Sequence, residues 1–109
     1  LVEGVFRQRL LMCCIKEALE KRGFVVSRNG DDLFVNDKKL SVSIATKSIT
    51  SVLIHTGVNI LSEGAPIPVS ALKSDLGIDN VKEFALEVMK NYSEEIEDII
   101  LASTKVRGV

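Results

Sequence analysis

Five charged residues concentrated in one short segment are the first candidates for chemistry in this chain. Within the nine residues from 31 to 39 lie Asp31, Asp32, Asp37, Lys38 and Lys39. Carboxylates are ligands that Mg²⁺ prefers, and a lysine can neutralise a phosphate or a developing carboxylate charge. An ordinary charged hairpin tip has the same composition, and exposed ion pairs contribute little to stability. Charge alone therefore favours a solvated tip over a binding site.

The residues that follow Lys39 indicate a polar pocket wall. Ser41 and Ser43 alternate with the apolar Leu40 and Val42, which is the pattern of a half-buried strand. Because alternate residues of a strand share a face, Lys39 is predicted to lie on the same side as the two serines. A lysine beside small hydroxyl side chains is suited to bind an anionic group.

A second candidate segment lies at the end of another apolar strand. Gly57 interrupts that strand, which permits close approach of a ligand or of another strand. Asn59 follows, and its amide can either bind a ligand or close a turn. For both residues the structural role is slightly favoured. His55 is the only histidine, and a lone histidine in an apolar strand is more often a hydrogen-bonded core residue than a catalyst.

Composition excludes several classes of protein. The chain has 109 residues and 46% hydrophobic content, which fits one compact domain. Its net charge is -1, so nothing in the composition requires the basic face that is typical of nucleic-acid-binding domains. No stretch approaches the length of a membrane span. Cys13 and Cys14 are adjacent, so they cannot form an ordinary disulfide, and with one histidine they do not make a zinc site. They are predicted to be small apolar groups in a reducing cytoplasm.

The hydrophobic pattern predicts the elements that must position the candidate residues. An apolar face at helical spacing predicts a first helix over Val5–Arg22, which ends at Gly23. The segments after it predict an antiparallel meander with a turn at Asn36–Asp37. The predicted strands are Phe24–Val26, Leu33–Val35, a strand from Leu40 to Ala45, and Ser51–Ile60.

The last part of the chain is predicted to be helical. Prolines and glycine make a loop of Ser62–Pro68, and a short helix over Ser70–Leu76 is closed by Gly77. Asp79 is predicted to cap a longer helix, which breaks at Asn91–Ser93. The acidic residues after the break are predicted to form a solvated face: Glu94, Glu95, Glu97 and Asp98.

Two segments resemble motifs in the catalytic domain of biotin and lipoate protein ligases. Residues 32–40 are similar to the centre of the first motif, an aspartate, an apolar pair and a pair of basic residues. Residues 57–60 are similar to the second motif, a strand that ends in glycine, an apolar residue and asparagine. The tail from Ser70 to Asp79 also resembles the segment that follows in the ligases.

The chain resembles an uncharacterised archaeal domain family still more closely, over residues 7–11, 30–33 and 39–45. The resemblance to that family implies the fold of class II aminoacyl-tRNA synthetases and biotin ligases. The resemblance implies an α+β fold with an antiparallel β-sheet flanked by helices. It implies a partial biotin/lipoate-ligase-like domain, either a single domain over residues 1–109 or the C-terminal part of a longer one.

Residue roles follow from the ligase resemblance. Lys39 lies where the ligases have the lysine that contacts the acyl carboxylate and the adenylate phosphate, so it is the implied catalytic residue. Substrate-binding positions are implied for Asp32, Ser41, Ser43, Gly57 and Asn59, and a metal-binding position for Asp31.

This chain also departs from the ligase pattern. Asn29, Gly30 and Asp31 replace a Trp-Pro-Asn sequence, and Val42 replaces a glycine. The Gly/Arg-rich loop of the ligases is absent from these residues, and in the ligases it lies upstream of the matched segment. These residues alone are therefore not expected to form a complete adenylating enzyme.

The resulting functional prediction is a ligase-like domain that binds or adenylates a small carboxylic acid of the biotin, lipoate or fatty acyl type. ATP and Mg²⁺ are the cofactors that the resemblance implies. The alternative is a non-catalytic binding or oligomerisation module on the same fold, such as a homodimer through an exposed sheet edge. Contact with nucleic acid is disfavoured by the charge balance, no membrane partner is expected, and a cytoplasmic location is predicted.

Overall fold

Two helices and five short strands make up the part of the chain that the computed structural model describes, residues 2–47, 52–60 and 70–105. The strands form a three-stranded antiparallel sheet, β1-β2-β3, and a two-stranded antiparallel sheet, β4-β5. The predicted α+β class is confirmed. The elements in chain order are α1 (Val2–Lys21), β1 (Val26–Asn29), β2 (Asp32–Val35), β3 (Lys38–Lys39), β4 (Ser41–Lys47), β5 (Val52–Val58) and α2 (Val81–Ser103).

The core lies between α1 and the first sheet. Met12 and Leu19 of α1 and Leu33 of β2 are fully buried, and Val35 is nearly so. Burial of each such side chain contributes about 1.5–3 kcal/mol before the entropic cost of ordering it. The same hydrophobic cluster includes Phe84, which brings the start of α2 onto this core.

Helix α1 ends in a glycine cap that delays the first strand. Gly23 has a φ of 91°, and the backbone N–H of Phe24 donates to the carbonyl of Leu19 at 3.2 Å. This is the hydrogen bond that closes a Schellman cap. Phe24 therefore belongs to the cap, Val25 is 88% exposed, and strand pairing begins only at Val26. The predicted strand over Phe24–Val26 was wrong for this reason, and α1 begins at Val2 rather than Val5.

The hairpin between β2 and β3 has the turn that the sequence predicts. Asn36 and Asp37 have φ values of 54° and 62°. Positive φ at both central residues is the requirement of a type I′ turn, and asparagine and aspartate tolerate it better than most residues. The turn sets the register in which Phe34 pairs with Lys39.

Leu40 joins the two sheets. Its backbone N–H donates to the carbonyl of Leu33 at 2.8 Å, which extends the pairing with β2. Its carbonyl accepts from the N–H of Asn59 at 2.9 Å, which extends the pairing with β5. The chain from β3 into β4 thus changes strand partner at Leu40, beside Lys39. This replaces the single meander of the sequence prediction with two sheets.

Residues 70–76 do not form the predicted helix. The N–H groups of Ser70 and Leu72 donate to the carbonyls of Lys39 and Asn59, at 3.1 and 2.8 Å, so this segment is held against the strands. Its helical hydrogen bonding is limited to one turn, in which the backbone N–H of Asp75 donates to the carbonyl of Ala71. The predicted loop over 62–68 lies outside the described residues.

Helix α2 is continuous from Val81 to Ser103, so the predicted break at residues 91–93 was wrong. No Gly or Pro interrupts this stretch, and polar residues alone do not end a helix. The N-cap is Asn80 rather than Asp79, because the Asn80 side chain accepts from the N–H of Glu83 at 3.0 Å.

Only the first half of α2 is well packed. Phe84 and Val88 are buried, whereas Ile100 in the last turns is 56% exposed. The radius of gyration is 15.6 Å, against about 13 Å expected for a compact chain of this length. No helix among the described residues has the length and apolar content that crossing a membrane requires.

Candidate functional site

The β2–β3 ladder brings Lys39 and Asp32 together. Lys39 pairs across the hairpin with Phe34, and Asp32 lies two residues before Phe34 on the same strand face. The Lys39 Nζ is 3.2 Å from the Asp32 Oδ1, with the two side chains 37% and 32% exposed. The predicted catalytic lysine and the predicted substrate-binding aspartate therefore form an ion pair that solvent and solutes can reach.

Ser41, two residues after Lys39 in the sequence, is almost completely buried. The side chain is 1% exposed, and its Oγ has no hydrogen-bond partner among the described residues. A buried hydroxyl without a partner costs about 1–3 kcal/mol. Ser41 pairs with Val58 across the β4–β5 ladder, and Ser43 pairs with Thr56 in the same register. Only the backbone of Ser43 is described.

Asn59 is a clamp between the strand junction and the segment that starts at Ser70. Its Nδ2 donates to the carbonyls of Lys39 at 3.2 Å and of Ser70 at 3.1 Å. Both amide hydrogens are thereby directed at backbone acceptors. The sequence slightly favoured a structural role for Asn59, and these two hydrogen bonds are the contacts of such a role. They hold the backbone of Lys39 in place.

Ser70 is a structural residue of the site that the sequence analysis did not single out. It is 2% exposed, and its Oγ donates to the carbonyl of Val35 at 2.6 Å. The only signal in the sequence was a serine that begins an otherwise apolar Ser-Ala-Leu run. Ser70 and Asn59 together connect both strands of the β2–β3 hairpin, through the carbonyls of Val35 and Lys39, to the segment that begins at Ser70.

Asp31 is drawn toward α1 rather than toward Lys39. Its Oδ2 accepts from the Nε2 of Gln8 at 3.3 Å, and Gln8 is 3% exposed. The sequence analysis did not select Gln8. Over the described ranges, no group of three or more histidine, cysteine or acidic side chains is arranged to hold a metal ion. The predicted metal role of Asp31 is therefore not supported by a cluster of three such side chains among the described residues.

An apolar groove of about 280 Å³ lies between α1, α2 and β5. Val58 and Ile60, on either side of Asn59, form part of its wall, and Ala85 and Met89 of α2 form the opposite wall. Gly57 lies on the exposed part of β5, where it pairs with Val42. The groove adjoins the strand end but contains neither Lys39 nor Asp32.

A second groove between the helices is polar and contains both cysteines. Cys14 is 5% exposed, whereas Cys13 is half-buried. Burial raises the pKa of the Cys14 thiol, and the nearby Glu17, Cys13 and Glu95 raise it further because negative charge disfavours a thiolate. The cysteines are free, as the sequence predicts, and the Cys14 surroundings are those of an unreactive thiol.

The geometry can be compared with known proteins. The profile of a family described as a domain of unknown function, DUF366, matches residues 1–107. An uncharacterised protein of Methanocaldococcus jannaschii is 44% identical over 94 residues, which is 85% of this chain and 42% of that protein. The predicted relationship to an uncharacterised archaeal family is confirmed.

Solved structures extend the comparison to the fold. A protein of unknown function from Pyrococcus horikoshi matches with a TM-score of 0.84 and 40% identity, over 99% of this chain and 57% of that chain. A biotin protein ligase from Aquifex aeolicus, in complex with biotin and ATP, matches with a TM-score of 0.72 and 24% identity. That match covers 85% of this chain and 43% of the ligase. This chain therefore has part of a ligase-like fold and spans about half the length of the proteins it matches.

Proposed function

We propose, from the premise that this chain belongs to the DUF366 family of domains of unknown function, that it carries one wall of a binding pocket for a small carboxylic acid or its adenylate. Lys39 is the anion contact in this proposal. The observation that carries it is the partly exposed Lys39–Asp32 pair, followed two residues later by Ser41, whose buried hydroxyl has no partner among the described residues.

Lys39 has the geometry of an orienting electrostatic contact. An ammonium group has three donors, and the described ion pair directs one of them toward Asp32. The other two can reach a carboxylate or a phosphate oxygen. Asp32 limits the rotamers of the lysine, and the clamp at its carbonyl holds the backbone. A positive charge held in place before the ligand arrives stabilises negative charge without further reorganisation.

The likeness to the biotin protein ligase supports this choice of ligand class at the level of the fold. That ligase was solved with biotin and ATP, a carboxylic acid and a nucleotide. The described residues do not fit a resident Mg²⁺, because Asp31 is bonded to Gln8 and Asp32 is paired with Lys39. The proposal therefore assigns no step to a protein-held metal.

Calorimetric titration of the chain with biotin, lipoate, octanoate and ATP is the direct test. A charge-assisted hydrogen bond contributes about 1.5–3 kcal/mol, so Lys39→Ala is expected to weaken binding by about 10–150-fold. The matched control is Lys38→Ala, which removes the same charge from the neighbouring exposed position. The proposal fails if no ligand binds the wild type, or if the two variants lose affinity equally.

A non-catalytic interaction module on the same fold is the second candidate. It is favoured by Asn59, whose two amide hydrogens already bond backbone carbonyls, and by Val42 in place of the ligase glycine. Light scattering separates the two candidates, since this one expects a stable dimer and no ligand heat. Release of pyrophosphate from ATP in the presence of a bound acid is the further measurement that distinguishes activation from binding.

A further inference from the structure

Two arginine side chains, one from α1 and one from β1, meet at the turn that connects β1 to β2. Arg28 of β1 pairs with Leu33, which is buried in the core beneath α1, so Arg28 lies on the helix side of the sheet. Lys39 pairs with Phe34, the next residue along β2, and therefore lies on the opposite side. The two arginines are thus outside the Lys39 site.

Gly30, in this turn, is the residue at which both guanidinium groups converge. The Arg28 Nη1 donates to the Gly30 carbonyl at 2.7 Å. The Nη2 of Arg9, from α1, is 3.7 Å from the position that a Cβ atom would occupy on Gly30. Gly30 has a φ of 65°, which glycine adopts without strain. The turn therefore holds two exposed positive charges against one residue.

Neither arginine is neutralised by an ion pair within the part of the chain that the structure describes. Arg9 and Arg28 belong to none of the ion pairs found there. Asp31 is the adjacent acidic residue, and its Oδ2 accepts from the Nε2 of Gln8 instead. Because like charges held at one residue repel, a bound oxyanion stabilises this arrangement, and guanidinium groups match the oxygens of phosphate in particular.

An exposed aromatic side chain lies beside the arginines. Phe6 precedes Arg9 by three residues in α1, so the two side chains share a helix face. Phe6 is 73% exposed, and together with Arg9, Val2 and Val5 it lines a hollow of about 390 Å³. An aromatic face next to a guanidinium group suits a ligand in which a planar ring is joined to an anionic group.

We propose that Arg9, Arg28 and Phe6 form a second binding site, for a phosphorylated small molecule with a planar ring, of which a nucleoside monophosphate is the simplest example. The arginines bind the phosphate, because their planar forks donate hydrogen bonds in pairs to its oxygens. The ring stacks on Phe6. The occupant is a mononucleotide rather than a nucleic acid, because the net charge of the chain is -1 and binding to a phosphate polymer depends on an excess of basic residues.

Calorimetric titration of the chain with AMP, ribose 5-phosphate and inorganic phosphate at low ionic strength tests this site. AMP is expected to bind more tightly than ribose 5-phosphate by about 5–100-fold, the range that base–aromatic stacking supplies. Phe6→Ala is expected to abolish that difference, and Phe6→Tyr to retain it. Arg9→Gln and Arg28→Gln are each expected to weaken the binding of all three ligands by about 10–150-fold.

Arg7→Gln is the matched control, because Arg7 lies two residues before Arg9 and is paired with Glu3. It is expected to change the affinity for AMP by less than about twofold, as for an exposed ion pair. Lys39→Ala is expected to bind one equivalent of AMP with unchanged affinity at the arginines, so the result is independent of the proposed Lys39 site. Circular dichroism establishes that every variant retains the wild-type fold.

Four results would each overturn this inference. The first is that AMP does not bind, or binds no more tightly than ribose 5-phosphate. The second is that Arg7→Gln weakens binding as much as Arg9→Gln does. The third is that Lys39→Ala alone abolishes the binding of AMP. The fourth is that a single-stranded oligonucleotide binds far more tightly than AMP, which would make the arginines part of a nucleic-acid surface.

Discussion

The clamp formed by Asn59 leads to the sharpest prediction, because two substitutions at one position have different expected outcomes. Asn59→Ala removes both donated hydrogen bonds and leaves the carbonyls of Lys39 and Ser70 without that donor. Each neutral hydrogen bond contributes about 0.5–1.5 kcal/mol net, so the loss is about 1–3 kcal/mol in the free energy of unfolding. At about 4 °C per kcal/mol for a domain of this size, the melting temperature falls by about 4–12 °C.

Asn59→Asp is expected to be more destabilising at neutral pH, although it is nearly isosteric. The introduced carboxylate points an acceptor at two carbonyl oxygens, and the repulsion raises its pKa in the folded state. The folded pKa then exceeds the unfolded value, so the folded state binds the extra proton. The stability of this variant is retained below the unfolded pKa of about 4 and is lost as pH rises through the raised folded pKa.

The measurement is urea denaturation of the wild type and both variants at pH 4 and pH 7. Asn29→Ala is the control, because Asn29 is an exposed asparagine at a strand end, and it is expected to shift stability by less than about 0.5 kcal/mol. The reasoning is refuted if Asn59→Ala is as stable as the control. It is also refuted if Asn59→Asp is no less stable than Asn59→Ala at pH 7, because the introduced carboxylate would then not be held against the carbonyls of Lys39 and Ser70.

Three further predictions concern the cysteines, the cap of α2 and the hairpin turn. At pH 8 iodoacetamide is expected to modify Cys13 faster than Cys14, whose pKa is raised by burial and by its acidic neighbours. Mass spectrometry of digested protein measures the order, and faster reaction of Cys14 would contradict it. Asn80→Ala removes the N-cap hydrogen bond of α2 and is expected to lower the free energy of unfolding by about 1 kcal/mol, measured by thermal unfolding. An unchanged free energy of unfolding would show that this hydrogen bond contributes nothing. Asp37 has a φ of 62°, which glycine adopts without strain, so Asp37→Gly is expected to stabilise the hairpin by about 0.5–1 kcal/mol. A lower melting temperature of this variant would refute the prediction.

The local features of the fold were predictable from the sequence. Apolar spacing indicated the first helix and the helical character of the region after residue 80, though not that α2 is unbroken, and Gly23 indicated the end of the first helix. The Asn36–Asp37 pair indicated the hairpin turn. These features depend on residues within a few positions of one another, so the backbone preferences of those residues and the hydrophobic period are sufficient to predict them. The proximity of Lys39 to Asp32 follows from the register of the same hairpin, whereas it was the resemblance to the ligases that singled out these two residues.

The same local reasoning failed where the backbone had another partner. Residues 70–76 have a helical composition, but the N–H groups of Ser70 and Leu72 bond to strand carbonyls. Phe24 begins an apolar run typical of a strand, but its backbone N–H closes the cap of α1. In both places a hydrogen bond to a distant or preceding element outweighs the intrinsic preference of the segment.

The sequence by itself thus determined the helices, the hairpin and the meeting of Lys39 with Asp32. Tertiary structure alone decided that Asn59 bonds the carbonyl of Lys39, 20 residues away, and that Asp31 bonds Gln8, 23 residues away. It also decided that the Ser41 hydroxyl is buried without a partner among the described residues. The physical reason is that a polar side chain takes its role from the groups packed around it, and those groups come from elements that no local spacing brings together.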